Sequence, residues 1–254
     1  MANILKDKVA IITGAGSGVR KEMAILFGSE GAKLLLIDIV QERLKDIELL
    51  LTDRRIDSKT LALDIREKES IDKIINTAIQ AYGSIDILCN NAGIMDGAMS
   101  VAETSDELWN RVMDINLKDP FRATRAVIPQ MLKQKHGAIL NTASVAGLYG
   151  GRAGVSYTVS KHGLIGLTKH MAAFYGTQGI RCNAMALGAV KTNIGIGSKQ
   201  PGDLGLKIIQ KTFGAMPEPA DAGQIAKIAL FLVSEQSEYL NGTVLVADSG
   251  WTVY

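Results

Sequence analysis

The chain has 254 residues, 47% of them apolar, and a net charge of +2 from 28 basic and 26 acidic residues mixed along its length. That length suits one α/β domain around a single sheet, and the apolar fraction suffices for a sheet buried on both faces. No basic block or aromatic–basic interleaving occurs, which argues against nucleic acid as a partner.

The opening Met1-Ala2-Asn3-Ile4-Leu5-Lys6-Asp7 lacks the apolar stretch of a signal peptide, and no later run has the length of a membrane span. The expected location is cytoplasmic. From there, short apolar runs alternate with segments of helical period. Val9–Thr13 reads as a strand, 18–29 as a helix, Lys33–Asp38 as a strand and 41–52 as a helix. Thr60–Leu63, Asp86–Asn90, Gly137–Thr142, Arg181–Ala186 and Thr243–Val246 continue the strands. Helices are expected near 67–82, 105–134, 155–177 and 220–234. The strands are too uniformly apolar for a one-sided sheet. Regular β-α-β alternation predicts a doubly wound parallel α/β sheet flanked by helices, a single domain over residues 1–254.

The rhythm breaks between Thr192 and Met216, where Gly195, Gly197, Pro201, Gly202, Gly205 and Gly214 mix with apolar residues. Glycine hinges around apolar side chains suggest a substrate lid over about 192–216, although an ordinary surface excursion has the same composition. Cys89 and Cys182 fall on strands with another strand between them, about 9–10 Å apart and too far to bridge, so both read as core residues. His136, His162 and His170 show no metal-ligand spacing, and no metal is expected.

Thr13-Gly14-Ala15-Gly16-Ser17-Gly18 follows the first strand and opens the first helix. Glycines there let the backbone approach a pyrophosphate, which the free N–H groups of the helix N-terminus attract. A tight turn alone would also use glycine; the strand–turn–helix context favours the nucleotide reading. Asp38 ends the second strand, twenty residues after Gly18. A carboxylate there accepts hydrogen bonds from the adenosine ribose hydroxyls and repels a 2′-phosphate, which points to NAD; otherwise it simply ends a strand. Tyr157 and Lys161 share a helix face at i and i+4. A nearby ammonium moves a phenol pKa from about 10 toward the working range, and Ser144 is a hydroxyl able to polarise a substrate oxygen. On its own a Tyr-x-x-x-Lys pair is more often a solvated helix face.

The series Thr13-Gly14-x-x-x-Gly18, Asp64, Asn90-Asn91-Ala92-Gly93, Asn116, Ser144 and Tyr157-x-x-x-Lys161 resembles the short-chain dehydrogenase/reductase family. The likeness runs from about Lys8 to Asp248-Ser249-Gly250. It implies a Rossmann-type enzyme that passes a hydride between a nicotinamide dinucleotide and an alcohol or carbonyl, commonly as a homotetramer. By the same resemblance Tyr157 is the general acid/base, Lys161 holds the nicotinamide ribose, Ser144 orients the substrate oxygen and Asn116 holds a relay water. Gly14, Ser17, Gly18 and Val19 take the pyrophosphate side, and Asp64 and Ile65 the adenine. Asn91, Ala92 and Gly93 line the groove, and Val190 and Thr192 meet the carboxamide with Gly188 beside them.

Three positions depart from the family pattern. Arg20 replaces a glycine that allows close helix–strand packing, Leu187-Gly188 replaces Pro-Gly, and Ser249 stands where glycine is usual. The Arg20 guanidinium either lies along the surface or folds back toward the pyrophosphate. The surface is the expectation, because the backbone loop already satisfies the phosphates. The apolar Ile94, Met95, Val145, Leu148, Tyr149 and Leu187 are candidate pocket residues, with Arg152 as a nearby cation, and point to a small or medium, largely uncharged substrate. Alternatives are an NADPH-dependent 3-oxoacyl thioester reductase, which Asp38 argues against, and a catalytically silent dinucleotide-binding protein.

Overall fold

Alternate residues of the inner strands bury on opposite sides of one sheet, which is why those strands carry apolar runs. The computed structural model describes residues 3–192, 194, 202–214 and 216–253. Its seven strands are β1 (Val9–Thr13), β2 (Lys33–Asp38), β3 (Ser58–Ala62), β4 (Ile87–Asn90), β5 (Gly137–Ser144), β6 (Ile180–Leu187) and β7 (Val244–Ala247). All pair in parallel in the order β3-β2-β1-β4-β5-β6-β7.

Ala10, Ile12, Leu34 and Leu36 face one side with Phe27 of α1 (Gly18–Ser29), Ile47 of α2 (Gln41–Asp53) and Ala229 of α8 (Ala222–Val233). Ile11, Leu35, Ile37 and Leu88 face the other. There they meet Ile74 of α3 (Lys68–Tyr82), Val127 of α5 (Asp119–Gln134) and Met171 of α6 (Val155–Tyr175). The doubly wound parallel sheet is thus as expected. Cys89 on β4 and Cys182 on β6 are buried, free and on opposite faces with β5 between them.

Several boundaries moved. β3 starts at Ser58 rather than Thr60, because it is an edge strand and tolerates the exposed Lys59 that the apolar pattern excluded. The expected helix over 105–134 is interrupted. α4 (Asp106–Met113) gives way to a π-helical turn over Asp114–Lys118 before α5 begins. Such one-turn widenings frequently accompany functional positions, and this one carries Asn116.

The 192–216 region contains a further helix, α7 (Asp203–Phe213). Gly195, Gly197 and Pro201 lie outside the described residues. Gly202 and Gly205 pack against the loop after β4. The Gly202 amide donates to the Gly97 carbonyl at 3.0 Å, and a Cβ on Gly205 would clash with the Ala98 carbonyl oxygen. Trp251 closes the other end, its indole N–H donating to the Thr212 carbonyl at 3.0 Å. Among the described residues, no helix is long and apolar enough to cross a membrane.

Candidate active site

In a parallel sheet every strand ends on the same edge, so the C-termini of β1, β2, β4, β5 and β6 converge. Strand order reverses between β1 and β4, and the candidate residues gather there. Thr13 joins the two strands: its Oγ1 accepts from the amides of Asn91 (3.1 Å) and Ala92 (3.3 Å) and donates to the Cys89 carbonyl (3.3 Å). Gly14 and Gly18 adopt φ of +69° and +58°, the left-handed region where a side chain is strained. Gly18 also lies against Thr192, whose Cγ2 would be 3.0 Å from an added Cβ. Ser17 precedes α1 without capping it through its side chain, and it lines the cleft.

Two adjoining cavities make up that cleft. The larger, about 530 Å³, is lined by Gly14, Ser17, Asp38, Asp64, Ile65, Ala92, Gly93 and Ile94, together with Arg20, Arg43, Arg66 and Arg111. The smaller, about 90 Å³, is lined by Val19, Arg20, Asn91, Ser144, Tyr157, Lys161, Leu187, Gly188, Val190 and Thr192. The predicted adenosine and nicotinamide sets therefore come together as two groups, end to end.

At the small end, α6 crosses close over the turn after β5; a Cβ on Gly147 would sit 2.8 Å from the Lys161 carbonyl oxygen. That approach brings Lys161 Nζ to within 2.7 Å of the Thr142 carbonyl, which accepts from it, and 5.5 Å from the centre of the Tyr157 ring. Burial pulls the Lys161 pKa down to about 7, with repulsion from Arg20 adding to it. Burial pushes the Tyr157 pKa up to about 12; the Ser144 hydroxyl and Arg20 lower it, while Asp96 raises it. The expected lowering of the phenol pKa by Lys161 is absent in this state. Desolvation dominates, and the same desolvation weakens the positive charge of the lysine that would oppose it. The phenol is held protonated.

Asn116 is fully buried and its side chain is committed: Oδ1 accepts from the Ile94 amide at 2.9 Å. Its Nδ2 donates to the Ile94 carbonyl at 3.0 Å and to Ser160 Oγ at 3.2 Å. It ties the loop after β4 to α6, beside Gly93 and Lys161. Ser144 Oγ donates to the Leu187 carbonyl at 3.3 Å. Leu187 still belongs to β6, paired with Ala247, and the Gly188 amide donates to the Ala247 carbonyl at 3.0 Å. Ladder pairing thus restrains the backbone where the family uses proline. Ser249 has φ +53°, the conformation that makes glycine usual at its position.

At the large end, the Asp38 carboxylate accepts from the Gly16 amide (2.9 Å) and the Val40 amide (3.0 Å), so it braces the glycine turn from beneath. Asp64 is gripped by Arg66 at 2.5 Å, which holds its carboxyl below the usual range.

Several expectations fail. Arg20 is not on the surface. Its Nη1 donates to the Asn91 carbonyl at 3.2 Å and would lie 2.8 Å from a Cβ on Gly14. Helical side chains lean toward the helix N-terminus, and the missing Gly14 side chain leaves the room it fills. Of the six candidate pocket residues, Leu187 lines the small cavity and Ile94 the large one, and the half-buried Met95 lines neither. Val145 is core, Leu148 packs on Ala143, Ile165 and Ala184, and Tyr149 is exposed. Arg152 stacks on Trp251, 4.4 Å from the ring centre.

Two participants escaped the sequence reading. Arg43 lines the large cavity, a cation beside Asp38 where none was evident from spacing. Asp96, fully buried, accepts from the amides of Ala98 (3.2 Å), Gly154 (3.1 Å) and Tyr157 (2.9 Å) and so clamps the start of α6. Its partners lie up to 61 residues away, beyond any local pattern.

The short chain dehydrogenase family profile matches residues 8–201. The 3β-hydroxysteroid dehydrogenase 2 of Eggerthella lenta is 35% identical over 99% of this chain and 97% of its own length. The 3-oxoacyl-(acyl-carrier-protein) reductase of Thermotoga maritima is 35% identical over 98% and 99%. The crystal structure of levodione reductase superposes with a TM-score of 0.89 at 32% identity, covering 98% of this chain and 99% of that one. The chain belongs to the short-chain dehydrogenase/reductase family. It is an oxidoreductase of that type, transferring hydride at an alcohol or carbonyl group with a dinucleotide cofactor.

Proposed function

We propose that the protein is an NAD-dependent dehydrogenase of small or medium, largely uncharged secondary alcohols. The observation that carries this reading is the convergence of Ser144, Tyr157 and Lys161 on one small cavity walled by Leu187 and Val190, continuous with a nucleotide-sized cleft that begins at the glycine turn. The residues fit a dinucleotide at both ends: left-handed glycines where a backbone meets a diphosphate, and the buried Asn91 with its Nδ2 lacking a partner among the described residues. When bound, the nicotinamide supplies or accepts the hydride. Tyr157 donates its proton to a carbonyl oxygen or takes one from an alcohol, Ser144 hydrogen-bonds that oxygen, and Lys161 holds the ribose. Gly188 and Thr192 wall the nicotinamide end and Asp64 and Ile65 the adenine end. Asn116 fixes the loop after β4 against α6, and the π-helical turn around it supports the proton-relay reading. Alignment and oxyanion stabilisation carry the rate.

The preference for NAD rests on Asp38 at the ribose end. Arg43 beside it favours a second reading, an NADPH-dependent carbonyl reductase, consistent with the similarity to the acyl-carrier-protein reductase. The likeness to a hydroxysteroid dehydrogenase and the apolar walls favour the first. The deciding experiment incubates the protein with NAD or NADP and a panel of secondary alcohols, hydroxysteroids and hydroxyacyl thioesters, following reduced cofactor by absorbance. Turnover of the apolar alcohols with NAD supports the reading, and turnover confined to thioesters with NADP replaces it. A homotetramer in the cytoplasm completes the proposal. Exposed Phe121, with Leu117 and Leu167, lines an open apolar hollow suited to a second copy. A monomeric mass by light scattering would sink it.

A further inference from the structure

Arg20 sits where the two cavities meet and lines both. It occupies the third position of α1, two residues after the left-handed Gly18, and its side chain runs back over Gly14 to the Asn91 carbonyl. A guanidinium offers five donors in a planar fork matched to phosphate. Here, among the described residues, it has one neutral acceptor at 3.2 Å, and no ion pair involves it. Its charged neighbours include Asp38 at one end and the cation Arg43, and Arg20 in turn repels Lys161. Asn91, 5% exposed and on the same wall, holds Nδ2 without a partner among the described residues. A desolvated cation with so little to hold it is a receptor for an anion.

We propose that Arg20 is the diphosphate-binding side chain of this cleft: at rest its guanidinium lies on the Asn91 carbonyl over the glycine turn, and a dinucleotide's diphosphate replaces that carbonyl as its acceptor. The inference rests on the dinucleotide reading above. It assigns to a side chain part of a task that a glycine turn otherwise performs with backbone N–H groups. The alternative, a guanidinium that merely obstructs the cleft, demands a resting partner strong enough to keep it there, and the Asn91 carbonyl is a weak one. A second consequence reaches the chemistry. Burial chiefly holds the Lys161 pKa down, and Arg20 adds to it; a diphosphate that neutralises Arg20 lifts that added repulsion and shifts Lys161 in the direction of its ammonium form.

The test is calorimetric titration of the preferred cofactor, of its nicotinamide-free fragment (ADP-ribose or the 2′-phosphate of it) and of adenosine into the wild-type protein, Arg20→Gly and Arg20→Gln. Folding of each is checked by circular dichroism. The expected result is at least a tenfold loss of affinity for cofactor and fragment in both variants, with adenosine changed less than twofold. Raising the salt concentration should weaken fragment binding less steeply in the variants than in the wild type. Unchanged or tighter fragment binding by Arg20→Gly makes the guanidinium an obstruction and overturns the proposal. An equal loss for adenosine overturns it too, because the substitution then acts on the whole cleft. A wild-type protein that binds neither cofactor nor fragment sinks the dinucleotide reading itself, a different and recognisable failure.

Discussion

On the β5–β6 side of the cleft, Ser144, Tyr157 and Lys161 border a cavity of about 90 Å³, and the two titrating groups are almost wholly withdrawn from water. On the β2–β3 side the cavity is about 530 Å³, and its charges are partly wet: Arg66 and Asp64 pair with side chains 43% and 19% exposed. Burial is the largest cause of the shifts of Lys161 and Tyr157. At the wet end the Asp64 carboxyl is lowered chiefly by its side-chain hydrogen bonds to Arg66, against a smaller opposing effect of burial. One continuous groove thus shifts a phenol chiefly by desolvation and a carboxyl chiefly by hydrogen bonding.

The contrast breaks most visibly at Tyr157. Tyr157→Phe keeps the ring and removes the transferable proton, so kcat should fall by about 10²–10⁴-fold with cofactor affinity nearly unchanged. Steady-state kinetics and calorimetry check this, and retention of most activity would refute the assigned mechanism. Asp96→Ala leaves three buried amides at the start of α6 without their acceptor, and urea unfolding should show a loss of about 2–4 kcal/mol. A loss below about 1 kcal/mol would mean that water replaces the carboxylate and that the dry end is wetter than its geometry implies.

Asp38→Ala tests the other end. The ratio of NAD to NADP affinity should shift toward NADP by about 10- to 100-fold, a penalty of about 1.4–2.8 kcal/mol removed from the 2′-phosphate. Comparable affinities in the unaltered protein would instead make Arg43 the dominant charge there. Lys161 sharpens the comparison through pH. Its folded pKa of about 7 lies below the ordinary 10.5, so the unfolded chain binds more protons between those values. Stability of the free protein should therefore rise as pH climbs from 7 toward 10.5. Lys161→Met should flatten that rise in thermal unfolding, and an unaltered slope counts against a desolvated lysine. Smallest of all is Arg66→Ala, which removes an exposed pair and should cost less than about 1 kcal/mol.

Much of the candidate site's convergence could be read in advance because its members are tied to local pattern: a tyrosine and a lysine four apart on a helix, a serine ending a strand, a glycine turn between strand and helix. What escaped were residues whose partners are remote. Asp96 means nothing until α6 folds back onto the loop after β4. Arg43 is an ordinary helix cation until the glycine turn lies beneath it, with its Cβ 2.5 Å from where one on Gly16 would stand. The packing of Gly202 and Gly205 was hidden for the same reason, since a glycine that hinges and a glycine that admits a neighbouring carbonyl are identical in sequence.

Sequence alone determined the sheet, because two-sided burial writes itself as uniform apolar strands and helical period marks every crossover. It also determined which residues meet at the C-terminal strand ends, since parallel strands leave no other edge for them. Tertiary structure decided the state of those residues. The phenol pKa of about 12 and the lysine pKa of about 7 follow from burial, which no spacing encodes. The course of Arg20 was likewise undecidable along the chain. A flexible cation in the first turn of a helix has surface and cleft both within reach, and the room left by Gly14 and the carbonyl of Asn91, 71 residues on, drew it inward.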